Sequence, residues 1–344
     1  MHDSNQKTPA VSWIIPAFNA GLYIGQTIRS IQAQTFIDWE IIVIDDGSND
    51  DTIEIVNSFI SNDKRIRLLK MEQPSGGAIL PRKKGILDAR ANIVAPVDAD
   101  DFIGPDYLNN LLLIMKERKA DIVYPMMYGS NTDYKSPISD IYMELLNSYL
   151  SGQDCVKLTL HGWRIHCNGG VIKKSLYLEV FDYFPDEMRH PNADELLTRY
   201  LLYNASRVAM STEKYYYRIY PNQQNKYKNS KAFSYMITNR ALLDFTLDKY
   251  GHASEEYMLA QSQAFYGIFR AMRILNRSVL DCETERYANM LIRETDNMLD
   301  RKLLRSHVSK KYYCLYSLPR MLQSPLLNIT DRIYKIFKNT KIVT

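Results

Sequence analysis

Between residues 11 and 124 the chain alternates short apolar runs with stretches spaced as helices. Val11-Ser12-Trp13-Ile14-Ile15-Pro16 reads as a strand. Leu22, Ile24, Ile28 and Ile31 recur at helical spacing up to Gln34, before the polar loop around Asp38. Glu40 to Asp46 is a second apolar run, closing on two acids. Asp50-Asp51-Thr52 then opens a helix reaching Ile60, its acids suited to the positive end of the helix dipole. Ile66 to Leu69 is a third strand, followed by Gly76-Gly77 and a basic helix from Arg82 to Ala91. Ile93 to Val97 is a fourth strand, Leu108 to Arg118 a helix, and Asp121 to Tyr124 a further strand. Strand–helix alternation builds βαβ units and a mostly parallel sheet. From about Met126 to Tyr220 the pattern is less regular. From Lys231 it is helical, with apolar stripes through Phe245, Tyr257, Phe265 and Met272, until Pro319 and Pro325 break it.

The polar residues that interrupt the apolar runs carry the chemistry. Asp98-Ala99-Asp100-Asp101 follows the fourth strand, and an α/β sheet binds ligands at the carboxyl ends of its strands. Three carboxylates this close raise one another's pKa unless something positive sits among them. A divalent cation carrying a diphosphate satisfies them, because hard cations take carboxylate and phosphate oxygens. The competing reading is an acidic turn that caps the next helix. Two other strand ends are marked in the same way, by Pro16-Ala17-Phe18-Asn19 and by Asp45-Asp46-Gly47-Ser48.

Composition narrows the class. The chain has 344 residues, 46% hydrophobic and 24% charged, ordinary values for a globular protein. No run of ~18 apolar residues predicts a transmembrane helix, and the polar start, Met1 to Pro9, has no signal-peptide pattern. Cys155, Cys167, Cys282 and Cys314 form no CxxC pair, which argues against zinc and fits a reduced, cytoplasmic setting. The net charge of +4 is uneven, since residues 301–344 hold ten Lys/Arg against the single acid Asp331. Those bases alternate with Tyr312, Tyr313, Tyr316, Ile333, Tyr334 and Phe337. A basic, aromatic amphipathic tail suits an anionic membrane interface; the alternative is a stripe packed on protein with its bases solvated. No nucleic-acid motif accompanies the bases.

Taken in order, "WIIPAFNA", "QAQTFIDWEIIVIDDGSNDDT", "SGGAILPRKKG" and "VDADDFIGPDYL" resemble the family 2 inverting glycosyltransferases of bacterial surface-polysaccharide type. The resemblance covers roughly residues 11–220. It implies an α/β GT-A fold, Rossmann-like, with a mostly parallel central sheet flanked by helices and, here, a C-terminal helical appendage. The expected layout is a flexible N-terminus at 1–10, a GT-A domain at 11–228, and a helical region with its basic tail at 229–344.

The resemblance also implies roles for residues. Pro16, Ala17, Phe18 and Asn19 would shape a nucleoside pocket. Asp46, with Asp45 close behind, would accept the uracil imide N–H; both acids capping the next turn is the alternative. Gly76 and Gly77 would let backbone approach the ligand. Arg82, or less favourably Lys83, would meet a phosphate or the base, unless that helix is a solvated face. Asp98 with Ala99 would hold the ribose, and Asp100 would bind Mg2+ or Mn2+. Asp101 either assists or caps a helix. Asp194 aligns with the family's base, with Glu195 its competitor; Ala193 stands where the family has Glu. Trp163, Gly169, Gly170 and Glu195 would face the acceptor. Arg218 would meet the donor phosphates or lie on the surface over an aromatic.

The implied activity is transfer of a sugar from a UDP-sugar to a hydroxyl of a saccharide acceptor, which in enzymes of this kind is often polyprenyl-diphosphate-linked, in O-antigen, capsule or related synthesis. The enzyme would be cytoplasmic or peripheral on the inner membrane face, and a homo-oligomer is possible. Two other readings stay open: a sugar nucleotidyltransferase, although the Gly-rich basic N-terminal loop of that class is missing, and a non-catalytic UDP-binding scaffold.

Overall fold

The computed structural model describes residues 7–129, 146, 148–162, 168–185, 190, 192–218, 229–309 and 313. The chain divides into two compact units, residues 1–223 and 224–344.

The first unit is built on an eight-stranded mixed sheet. Its strands are β1 (Val11–Ala17), β2 (Trp39–Asp45), β3 (Ile66–Lys70), β4 (Ile93–Pro96), β5 (Phe102–Ile103), β6 (Ile122–Gly129), β7 (Val171–Lys173) and β8 (Val208–Tyr217). They lie in the order β3-β2-β1-β4-β7-β6-β8-β5. The first half, β3 to β4, is parallel throughout. Beyond it β7 runs antiparallel to both β4 and β6, β8 runs parallel to β6, and β5 pairs antiparallel with β8. The parallel sheet of the sequence reading therefore occupies one half, and three antiparallel pairings complete the other.

The parallel half is apolar because it is covered on both faces. Every residue of β2 is buried, and so is every residue of β1 except the half-buried Pro16. Helix Ile24–Gln32 lays Ile24, Thr27, Ile28 and Ile31 on this core, one face of a helix by their spacing. On the other side, helix Ile79–Asp88 begins three residues before the basic run that announced it. Pro81 is tolerated there because first-turn N–H groups have no intrahelical partner to lose. Gly85 lets this helix approach the sheet: a Cβ at that position would lie 2.4 Å from Ile44 Cδ1.

Two acids sit near the amino-terminal ends of β2 and β3, away from the carboxyl edge. Glu40 accepts from Ser12 Oγ (2.7 Å) and from the Arg90 backbone N–H, and pairs with Arg67 and Arg90. Asp63 accepts from Arg65 and Gln32. These are scaffold ion pairs, and they leave the ligand edge to other residues.

The second unit is helical over its described part. Helices Ser234–Tyr250, Glu255–Arg277 and Cys282–Asn297 pack through Leu242, Phe245, Ala264, Phe265, Ile268, Ala288 and Leu291, all buried. Ser254, Asp281 and Asp300 cap successive helices by accepting first-turn N–H groups. Among the described residues no helix is long and apolar enough to cross a membrane. Of the basic tail, only helix Arg301–His307 and a few neighbouring residues are described. The aromatic stripe from Tyr316 to Phe337 lies outside the described residues.

Candidate active site

Three parallel strands, β2, β1 and β4, end side by side, and each delivers a marked loop to the same edge. Ala17 is paired with Asp45, and Val97 N–H donates to Ile14 O at 3.0 Å. The loops after Ala17, Asp45 and Pro96 are therefore brought together by strand pairing alone.

The loop after β1 turns through Asn19, which sits at φ +50°. Its N–H donates to Ser48 Oγ (2.9 Å) and its Oδ1 accepts from Asn49 N–H (2.8 Å), so the first two loops are stitched to each other. Phe18 is more than half exposed, which rules out a core role and leaves its ring at the edge. The two acids after β2 separate in function. Asp45 caps its own turn, accepting from the N–H groups of Gly47 (3.2 Å) and Ser48 (3.3 Å). Asp46 reaches out of its turn and accepts from Ser75 through both N–H (2.8 Å) and Oγ (2.9 Å). Ser75 immediately precedes Gly76, which sits at φ +86°, so Asp46 anchors the glycine loop.

The Asp98–Asp101 loop is held from several sides. Asp98 N–H donates to the Tyr215 hydroxyl at 3.1 Å. Thr27 Oγ1 is shared between the carbonyls of Ala99 (2.9 Å) and Asp101 (2.7 Å). Arg218 donates from its backbone N–H to Asp101 Oδ1 (2.9 Å) and from Nε to Asp100 O (2.8 Å). Its guanidinium also bonds Gln26 and stacks over Tyr23 and Phe102. Arg218 thus braces the loop from behind by main-chain and side-chain contacts.

The three acids of this loop are not equivalent. Asp101 is buried, and helix Tyr107–Arg118 starts beyond it with Asp106 at its cap, so the helix-cap reading of Asp101 is corrected. Burial, then the carboxylates of Asp98 and Asp100, push its pKa well above the usual range, against the pull of the Arg218 N–H and the Tyr215 hydroxyl. Asp98 faces Arg82 and Asn168. Asp100 is partly exposed.

Arg82 is 1% exposed, which excludes a solvated helix face. Its NH2 donates to Asn168 Oδ1 at 2.6 Å and lies 3.5 Å from Asp98 Oδ1. Asn168 Nδ2 in turn donates to Asp98 Oδ2 at 2.6 Å. Lys83 turns away, toward the Phe181 ring and carbonyl.

Gly169 and Gly170 are buried, and packing explains them. Gly169 has φ +81°, and a Cβ there would lie 2.8 Å from the Tyr215 ring. A Cβ on Gly170 would lie 2.8 Å from Val123 O. They let the chain pass closely over β6 and β8, and they present no open backbone to a sugar. Trp163 and its neighbours His166 and Cys167 lie outside the described residues.

Asp194 and Glu195 occupy the first turn of helix Ala193–Asn204. Glu195 leans toward Arg199, 3.9 Å away on the same helix, whose guanidinium is buried and also bonds Thr159. Asp194 is partly exposed and lies near His190. Burial holds the His190 pKa down, while the Asp194 charge raises it. Ala193 is fully buried, which leaves no room for a reaching carboxylate at that position.

Asn168, Ser75, Thr27 and the Tyr215 hydroxyl were absent from the sequence-predicted set. Nothing local marks them: Asn168 meets Arg82 from 86 residues away and Asp98 from 70. Among the described residues no three His, Cys, Asp or Glu side chains form a ready-made metal cage.

Comparison with known proteins agrees with this arrangement. Residues 12–177 match the profile of glycosyl transferase family 2. Glycosyltransferase GlyG of Streptococcus pneumoniae is 29% identical over 222 residues, covering 60% of this chain and 69% of GlyG. Poly(ribitol-phosphate) beta-N-acetylglucosaminyltransferase TarS of Staphylococcus aureus is 28% identical over 214 residues, covering 60% of this chain but only 35% of TarS. The crystal structure of TarS 1–349 in complex with UDP-GlcNAc superposes with a TM-score of 0.71 at 20% identity, covering 94% of this chain and 91% of that one. Mannosyltransferase PcManGT from Pyrobaculum calidifontis, in complex with GDP-Man and Mn2+, superposes with a TM-score of 0.54 at 16% identity, covering 95% of this chain and 88% of that one. These likenesses establish the GT-A fold. Residues 12–177, just under half of the chain, form a glycosyl transferase family 2 domain.

Proposed function

We propose that the protein transfers a sugar from a UDP-sugar to a hydroxyl of a saccharide acceptor, with inversion at the transferred carbon, in the synthesis of a bacterial surface glycan. The observation that carries this reading is the meeting of Asp98 with the buried Arg82 at the carboxyl edge of β4, within an acidic loop that also carries Asp100. The family 2 domain at residues 12–177 and the sugar-transferring relatives support it.

In this reading Pro16, Ala17, Phe18 and Asn19 form one wall of a nucleoside pocket, and Asp46 with the Gly76-Gly77 loop forms the other. Asp46 suits an imide N–H because a carboxylate is purely an acceptor. Its present bonds to Ser75 place the loop and the acid in one unit. Asp98 receives the ribose hydroxyls and Arg82 balances phosphate charge.

The chemistry of the loop suits a divalent cation. Burial first, and then the carboxylates of Asp98 and Asp100, raise the Asp101 pKa, and a cation beside Asp98 and Asp100 would relieve the second of these causes. Asp100, partly exposed, is the ligand we assign to Mg2+ or Mn2+, which usually take one or two carboxylates alongside substrate phosphates. When bound, the ion supplies Lewis-acid stabilisation of the departing nucleoside diphosphate.

The incoming hydroxyl needs a base. Asp194 fits, because Glu195 is turned to Arg199.

We assign residues 11–228 to the transferase domain and 229–344 to the helical appendage, whose basic tail lies against an anionic membrane face. That placement accords with a polyprenyl-diphosphate-linked acceptor and a peripheral, cytoplasmic site. The test is a panel of UDP-sugars with Mn2+ and saccharide acceptors, following UDP release and the anomeric configuration of the product by NMR. Transfer with inversion from a UDP-sugar is expected. Release of UDP from none of the donors, or a retained anomer, overturns the reading.

A further inference from the structure

The contact between Arg82 and Asp98 is unusual for a buried cation beside an acid. Arg82 is 1% exposed and Asp98 offers a carboxylate on the same edge, yet their closest approach is 3.5 Å. Charge-assisted N–H···O bonds close to ~2.7–2.9 Å when nothing prevents it. The amide of Asn168 bridges them. Its Oδ1 accepts from Arg82 NH2 at 2.6 Å and its Nδ2 donates to Asp98 Oδ2 at 2.6 Å. The amide orientation follows from its neighbours, since a guanidinium only donates and a carboxylate only accepts. Only an amide offers both faces at this length. A carboxylate would repel Asp98, and an alkyl side chain would desert both charges.

We propose that Asn168 is a positioning residue that holds Arg82 and Asp98 apart, keeping both aimed at the nucleotide instead of closing on each other. Three features converge on this. Asn168 is itself buried, so its amide is fixed by packing. The next residue, Gly169, is locked in place: its N–H donates to Pro96 O (2.8 Å), and Tyr107 Oη donates to its carbonyl. About a third of the Asp98 side chain stays exposed, although one oxygen is bound to Asn168 and the other faces Arg82. Without the spacer, the guanidinium and carboxylate would form a direct pair and the acid would be withdrawn from its ligand. The inference rests on the proposed nucleotide role of Asp98 and Arg82, and extends it to a residue that touches neither nucleotide nor metal.

The test is Asn168→Ala in the full chain, with Asp98→Ala and the double variant. A crystal structure of Asn168→Ala is expected to show Arg82 and Asp98 in direct contact. Calorimetry with UDP and Mn2+ is expected to show a Kd raised at least tenfold, about 1.4 kcal/mol, with the KM for the acceptor unchanged. In the Asp98→Ala background the same change is expected to add less than twofold, since Asn168 then has no acid to hold off. Unaltered Arg82–Asp98 spacing together with unaltered UDP affinity overturns the proposal, and so do fully additive losses in the cycle. If the parent chain binds no UDP while the spacing still collapses in the variant, the spacer role stands and the nucleotide reading falls.

Discussion

Tyr215 holds the backbone of Asp98 across 117 residues of sequence: its hydroxyl accepts the Asp98 N–H at 3.1 Å. The tyrosine is fully buried near the end of β8, and burial keeps its phenol pKa well above the ordinary value. Its ring fills the space left by the absent side chain of Gly169. One residue therefore fixes both the acidic loop and the segment that carries Asn168. Tyr215→Phe retains the ring packing and removes the hydroxyl that accepts the Asp98 N–H and bonds the Asp101 carboxylate. Losing a hydrogen bond of this kind costs ~1–2 kcal/mol. We expect a fall in thermal midpoint of a few degrees and a clear loss of turnover, measured by calorimetric melting and by UDP release. Wild-type turnover at a lowered melting point would show that Tyr215 supports stability alone.

How far the sequence discloses this site depends on how local each contact is. β1, β2 and β4 are legible because strands buried on both faces are nearly continuous apolar runs, and the acids that end them are conspicuous. β5 has two residues and owes its existence to β8, more than a hundred positions later. β7 has three residues and is defined by the neighbours on each side of it. Neither carries a periodicity of its own. Asp98 and Arg82 are legible as charged residues at marked places, whereas the orientation of each is set by Asn168, a neutral amide with no sequence signature. The two acids of Asp45-Asp46 look equivalent in one dimension. Strand geometry makes them different, turning one to its own loop and sending the other to Ser75.

Asp63 tests the scaffold beneath the site. Its carboxylate accepts from Arg65 Nε (3.0 Å), Arg65 NH2 (2.9 Å) and Gln32 (3.1 Å), and Arg65 also stacks on Trp39 at 3.6 Å. The hydrogen bonds to Arg65 are the largest cause that holds its pKa down at about 2, against 3.8 for an unperturbed group. A folded-state pKa below the unfolded value means stability that is complete above the unfolded value. That stability is lost as pH falls from near 4 through 2. Partial exposure of Arg65 limits the amount to about 1 kcal/mol. Asp63→Asn is expected to lower stability at neutral pH and to flatten the stability profile between pH 4 and 2, read by urea melts at each pH. A profile parallel to the parent's would remove Asp63 from the acid response.

Asp100 gives the sharpest test of the cation. Its backbone carbonyl, and not its side chain, receives Arg218 Nε. Asp100→Ala should therefore leave the loop braced while removing the ligand. Loss of a metal ligand in such a site forfeits several kcal/mol of charge stabilisation. We expect transfer to fall by about a hundredfold or more, with the Mn2+ requirement shifted to much higher concentration and the melting point held. Transfer at the parent rate with an unchanged Mn2+ dependence would assign the ion to other residues.

Asp194 is the base we propose, and its neighbour Glu195 is engaged elsewhere. Successive helical residues do not share a face, and Glu195 points along its helix to Arg199. The Asp194 backbone carbonyl accepts from Thr198 Oγ1 at 2.7 Å, a contact that survives replacement of the side chain. Asp194→Asn should cost only the first-turn charge, ~0.3–1 kcal/mol, and leave the helix intact. Removing a positioned general base typically lowers turnover by ~10²–10⁴-fold. Calorimetry should give the parent Kd for UDP, and kcat should collapse by that factor with the donor KM little changed. Glu195→Gln serves as the internal comparison: it disturbs the contact with Arg199 but leaves the proposed base in place. If turnover survives in Asp194→Asn and collapses in Glu195→Gln, the proton goes to Glu195, and Arg199 must then release it when the acceptor binds.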